Sequence, residues 1–190
     1  PPAARAAARG GGGRGGGGGG GGGAGGGGGA AAGPPSVAVS VEALLRWRQA
    51  PYVVTASHLY LDANEPAGDE PGRRTVPLTP RHSAGLVAMW EQHDRGRIGL
   101  ELYYTGEQAL EDNPHRNKSE GYLHLGLLGE IVLGRYRLFL NLENLLDVRQ
   151  TREDPLVLPS RLADGRWTVD AWAPLEGFIA NAGVRISLEP

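Results

Sequence analysis

The feature that most constrains this chain is an alternation of apolar and polar residues with period two, sustained from Val37 to the C-terminal region. In "RLFLNLENLLDVRQ", Leu138, Leu140 and Leu142 fall on one parity, while Arg137, Phe139, Asn141 and Glu143 fall on the other. A helix repeats every 3.6 residues and would mix the two sets around its axis. A strand sends successive side chains to opposite faces and keeps them apart. The alternating stretches are also long. A typical strand has about five or six residues, whereas a tilted strand of about nine to eleven crosses a bilayer. The leucine rows therefore belong either to the core of a soluble sheet or to a surface that meets lipid.

Seven such strands are predicted: Val37 to Arg48, Tyr52 to Asp62, His82 to Gln92, Arg97 to Gln108, Tyr122 to Val132, Tyr136 to Leu146 and Phe178 to Leu188. Their connections alternate in length, with tight turns near Gln49, Arg95 and Gly134. Long polar loops run from Ala63 to Pro80, Ala109 to Ser119 and Asp147 to Glu176. Short turns at one end and long loops at the other is the layout of an outer-membrane barrel. Trp47 and Trp90 lie on the apolar parity beside short turns, and Tyr104 and Phe178 on the same parity beside long loops. These positions match aromatic girdles at two membrane interfaces. An Arg or Lys on the lipid face near the midplane costs about 2–4 kcal/mol. That penalty assigns Arg137, Asn141, Glu143, Glu101 and Arg185 to a wet interior. The second strand does not choose a face, because His58 shares the parity of Tyr52 and Tyr60.

Composition narrows the alternatives. Residues 1–35 are dominated by glycine and alanine and offer no apolar surface to offset the entropy of ordering, so a disordered segment is expected there. The interpretable domain is residues 36–190. A net charge of −2 and a glycine tract with only three arginines and no aromatic residue argue against nucleic-acid binding. With no cysteine, disulfides, thiolate metal sites and cysteine nucleophiles are excluded. No apolar run reaches the roughly 18 residues of a membrane helix, and the N-terminal residues do not read as a secretory signal. The five histidines, His58, His82, His93, His115 and His124, show no helical metal-ligand spacing, and no serine sits in a nucleophile-elbow context. Glu107, Glu111 and Asp112 read as a solvated acidic patch. No enzyme, no cofactor and no metal site is expected.

The stretch "ENLLD" resembles the Asn-Leu-x-Asp motif near the C-terminus of TonB-dependent outer-membrane receptors. "VPLTPRHSAGLVAMWE" is similar to a loop-to-strand entry of that family, and "NAGVRISL" to its barrel assembly signal, carried here by Asn181, Gly183, Ile186 and Leu188. The resemblance covers residues 36–190. It implies an all-β fold, an antiparallel transmembrane β-barrel of which about seven strands are present. It also implies uptake of a metal chelate such as a ferric siderophore, energised by TonB. The implied partners are outer-membrane lipid, the barrel assembly machinery, the chelate, and TonB only through a plug region absent from these residues. Seven is an odd number, whereas single-chain bacterial barrels have an even count, so the chain is expected to be the C-terminal part of a receptor located in the outer membrane.

Ligand contact is expected in the long loops. The last one carries Arg149, Arg152, Arg161, Arg166, Trp167 and Trp172. Guanidinium groups and indoles suit anionic, aromatic chelates through paired hydrogen bonds and stacking. The same residues also suit packing of the loop against its neighbours. The competing expectations for the whole chain are a soluble β-barrel or sandwich binding module and a non-functional truncated receptor.

Overall fold

The computed structural model describes residues 35–67, 71–111, 113–161, 164–169 and 171–188. The glycine tract, Asp112, Glu189 and Pro190 lie outside them. The fold is all-β and antiparallel. Among the described residues its ten strands are β1 (Val37–Gln49), β2 (Tyr52–Pro66), β3 (Arg73–Thr75), β4 (His82–Gln92), β5 (Gly96–Thr105), β6 (Tyr122–Leu133), β7 (Tyr136–Glu143), β8 (Val157–Arg161), β9 (Trp167–Val169) and β10 (Ile179–Ile186). One sheet runs in the order β1-β2-β4-β5-β6-β7-β10, with β3 added to the end of β2. β8 and β9 form a separate hairpin within the last long loop. The main sheet is open, and β1 and β10 are its two edges.

All seven predicted long strands are present, and their ends differ for local reasons. β5 stops at Thr105 because the Gly106 N–H turns to the His82 carbonyl and Gln108 is drawn into the loop, where its N–H meets Ser119 Oγ at 3.0 Å. β7 stops at Glu143 because Asn144 takes a left-handed backbone, φ 50°. β2 extends to Pro66 because β3 pairs with it from Asn64 to Pro66. The short strands β3, β8 and β9 have too few residues for an alternation to be read.

The register makes the parity argument concrete. Directly paired residues share a face. Following the pairs across the sheet places Val41, Tyr60, His82, Ala84, Tyr104 and Leu123 on one face, and likewise Leu45, Ala56, Leu86, Leu102 and Leu125. The same face continues through Leu127, Leu142 and Ala180, then Gly129, Leu140 and Ala182, and Ile131, Leu138 and Val184. One row of Trp47, Tyr52, Trp90 and Tyr136 bounds it at the short-turn end. Tyr60, His82, Tyr104 and Phe178 bound it at the long-loop end. Between the rows no Asp, Glu, Lys or Arg stands on this face. Eight residues of strand cover about 26 Å, and seven strands about 4.8 Å apart span about 29 Å, a plan area of about 750 Å². The largest apolar patch on an ordinary soluble monomer is about 300–600 Å².

Among the described residues nothing covers that face. Val41 is 63% exposed, Ile98 54%, Ile131 50% and Val184 56%. Among the described residues the buried hydrophobic side chains are Ala63, Leu158 and Trp172 only. The opposite face carries Glu42, Arg46, Glu91, Arg97, Glu101, Glu130, Arg137, Glu143 and Arg185. Glu130, 13% exposed, lies 3.3 Å from both Arg97 on β5 and Arg137 on β7, and Asn141 donates to Glu143 at 2.6 Å. Two aromatic rings on this face lie across glycines of the neighbouring strand. A Cβ at Gly85 would come within 3.2 Å of the Tyr103 ring, and one at Gly183 within 2.5 Å of the Phe139 ring. Glycine is therefore the residue that lets each ring lie flat.

Candidate functional site

Most of the buried side chains among the described residues are in the loops. Where β7 ends, "ENLLD" folds into a clip. Asn144 and Asp147 both adopt positive φ, 50° and 52°, a region that Asn and Asp tolerate better than other side chains. Asn144, 2% exposed, uses both ends of its amide. Its Nδ2 donates to the Val148 and Glu176 carbonyls at 2.8 and 3.0 Å, and its Oδ1 accepts from the Val148 N–H at 3.0 Å. Asp147 accepts from the Phe178 N–H at 3.0 Å through Oδ1. Its Oδ2 pairs with Arg149 at 2.8 Å and with Arg152. The Phe178 N–H, then Arg149, holds the Asp147 carboxyl below the usual carboxylate range. The clip thus ties the end of β7 to the start of β10 across the whole intervening loop. Gly177 is obligatory beside it, since a Cβ there would collide with the Asp147 carboxylate.

Behind the clip lies a polar core. Gln150, 1% exposed, accepts from the Trp172 N–H at 2.8 Å. Gln108 donates to the Trp172 carbonyl at 2.9 Å. Arg116 reaches Asp154 at 2.8 Å and lies over the Trp172 ring, 5.6 Å from its centroid. Asp154 is buried and Arg116 partly so. These contacts join the loop after β5 to the loop after β7 with Trp172 at the centre.

The residues expected to touch ligand divide into two groups. Arg149 and Arg152 line a cleft of about 240 Å³ with Tyr122, Glu153 and Trp172, and both are engaged by Asp147. Trp172 is buried and its contacts are internal. Arg161 and Trp167 sit on the β8–β9 hairpin, where the guanidinium stacks 3.9 Å from the ring centroid. Arg166 pairs with Asp164 at 2.6 Å. The structure does not bring all six together. Drug-sized ligands occupy pockets of about 300–1,000 Å³, so the cleft at Arg149 and Arg152 alone is small. Asn181, Gly183 and Ile186 lie on the edge strand β10, and Leu188, 92% exposed, follows it.

Sequence reading missed Gln108, Arg116, Ser119, Gln150 and Asp154, none of which sits in a pattern that separates a buried polar residue from a solvated one. It also missed that His58 and His82 meet. They are 24 positions apart, but His82 Nδ1 lies 3.3 Å from His58 Nε2, because neighbouring strands place them diagonally. Spacing within one element cannot reveal a cross-strand pair.

The fold and its loop cap define an antiparallel β-sheet protein with one apolar face left uncovered by the described residues and a polar-cored cap. No family model, curated protein or solved structure matches this chain.

Proposed function

We propose that this chain forms part of the β-barrel of an outer-membrane receptor of the TonB-dependent type, taking up a metal chelate such as a ferric siderophore. The observation that carries the reading is the charge-free apolar face, about 750 Å² in plan, bounded at both ends by aromatic rows and left uncovered by the described residues. In water such a face seeks a second layer. In a bilayer it meets acyl chains directly. The two open edges, β1 and β10, support the same reading, because lipid tolerates no unpaired strand edge and further strands, supplied in the refolding tests by a second copy of the chain, must complete the sheet. The charged face then lines the lumen, and the cap lies at the mouth with Arg149, Arg152, Arg161, Arg166 and Trp167 nearest to an incoming anionic chelate. Trp172 acts by holding the cap together.

A soluble sandwich or barrel module would need the leucine rows packed against something, and among the described residues they pack against nothing. The test is to refold the full chain by dilution into detergent micelles and, in parallel, into detergent-free buffer. Strand-rich circular dichroism and heat-modifiable gel mobility in detergent, with aggregation in buffer, are expected. A compact monodisperse monomer in buffer overturns the proposal.

A further inference from the structure

We propose that His58 and His82 form a binding site for a borderline divalent transition-metal cation, Cu²⁺ or Zn²⁺, at the long-loop end of the apolar face. The two rings project from neighbouring strands, His58 opposite Ala84 and His82 opposite Tyr60. Diagonal cross-strand neighbours stand within reach of long and aromatic side chains. Their facing nitrogens are 3.3 Å apart, with ring centroids at 5.5 Å and planes inclined by 28°. Zn²⁺ binds imidazole nitrogen at about 2.0–2.1 Å, and two such ligands at a tetrahedral angle are separated by about 3.3–3.4 Å. The pair therefore already stands at the spacing of two adjacent metal ligands. Binding requires the ring that donates in the N···N contact to take its other tautomer, its proton moving to its far nitrogen through solvent, so that each neutral imidazole offers a lone pair to the cation.

The position suits an exchangeable ion. His82 borders an open cleft of about 300 Å³ lined also by Thr75, Thr79, Tyr104 and Glu107, which gives solvent a path to the rings. The neighbouring cation, Arg81, is 3.6 Å from Asp62 and so has a carboxylate partner. Tyr60 flanks His82, with ring centroids 5.2 Å apart. Among the described residues no set of three or more His, Cys, Asp or Glu converges, so water fills the remaining positions. Two imidazoles favour Cu²⁺ over Zn²⁺ and discriminate against Ca²⁺ and Mg²⁺, which prefer oxygen ligands. This site lies on the face opposite the charged one. It is separate from the proposed chelate path and does not depend on that reading. Its consequence is a metal clip between β2 and β4.

The experiment is a Cu²⁺ and Zn²⁺ titration of the refolded full chain without a histidine tag, read by calorimetry and by Cu²⁺ paramagnetic resonance. One equivalent of Cu²⁺ with two-nitrogen coupling is expected, weakened at least tenfold in His58→Gln and in His82→Gln, and unchanged in His115→Gln. Zinc is expected to raise the unfolding temperature of the parent chain but not of the double variant. Absence of binding, equal competition by Mg²⁺, or a two-nitrogen signal that survives both substitutions overturns the proposal. Should a histidine variant fail to refold, the coupling pattern and metal selectivity of the parent chain still decide the matter.

Discussion

The seven-stranded sheet and the loop cap above it treat their side chains in opposite ways. On the sheet, thirteen consecutive residues of β1 are exposed on both faces, and among the described residues the apolar rows from Leu45 to Val184 have no partner layer. In the cap, Gln108, Asn144, Gln150, Asp154, Leu158 and Trp172 are buried, and four of the six are polar. A water-soluble domain places its apolar residues inside and leaves most polar ones at the surface. Here the arrangement is inverted where the chain is regular, while in the cap the buried amides of Gln108, Asn144 and Gln150 are each hydrogen-bonded. The contrast teaches that the strands are held by hydrogen-bonded ladders with their apolar rows unburied, whereas the cap is held by its own polar network.

The sharpest way to break this comparison is to place one charge on each face at neighbouring positions. Leu127 lies mid-strand on the apolar face, and Leu128 on the charged face beside Asn141. Leu127→Arg is expected to lower folding into vesicles by about 2–4 kcal/mol. Leu128→Arg should change it far less, as read by the folded fraction on a gel. Equal effects would mean that the faces do not differ in environment.

The cap offers the next largest effect. Asn144→Ala removes three hydrogen bonds and puts alanine at positive φ, which together cost about 3 kcal/mol. It is expected to free residues between β7 and β10 for proteolysis while leaving the strands protected. Gln150→Ala strips the acceptor from the Trp172 N–H and should cost about 2 kcal/mol, seen as faster amide exchange at Trp172. Loss of the sheet in either variant would contradict the independence of the two regions.

The smallest effect is a pH dependence confined to the cap. The Asp147 carboxyl is held below its ordinary value of 3.8 in the folded chain. Its contribution is complete above that ordinary value and is lost as pH falls through the depressed one. Acid should therefore loosen the last loop while the sheet persists, measured by proteolysis at stepped pH. Asp147→Asn, which keeps an oxygen for the Phe178 N–H and tolerates positive φ, is expected to remove this dependence.

How much of this was legible in the sequence follows from the same contrast. A strand writes its two environments into alternate letters, so the seven long strands, the facing of all but the second, and the shared face of Arg137, Asn141, Glu143, Glu101 and Arg185 could be read directly. Tyr52, Tyr60 and Tyr136 joined the aromatic rows only when the register fixed strand heights. The cap has no period. "ENLLD" was visible as a motif, but its role came from φ values and from partners as distant as Glu176. Gln150 is an ordinary polar loop letter until its burial is seen. Arg149 and Arg152 were chosen for their chemistry, and the structure adds that Asp147 engages both.

The account rests on the environment of the two sheet faces, and the absence of native cysteine makes it directly measurable. Single cysteines at successive positions from 123 to 131 of β6 can carry a spin label in the refolded chain in vesicles. The account predicts that labels at odd positions collide with oxygen dissolved in the bilayer, and those at even positions with a water-soluble nickel chelate, alternating residue by residue. Labels at odd positions shielded from both reagents, in a chain that stays dissolved without lipid, would contradict it.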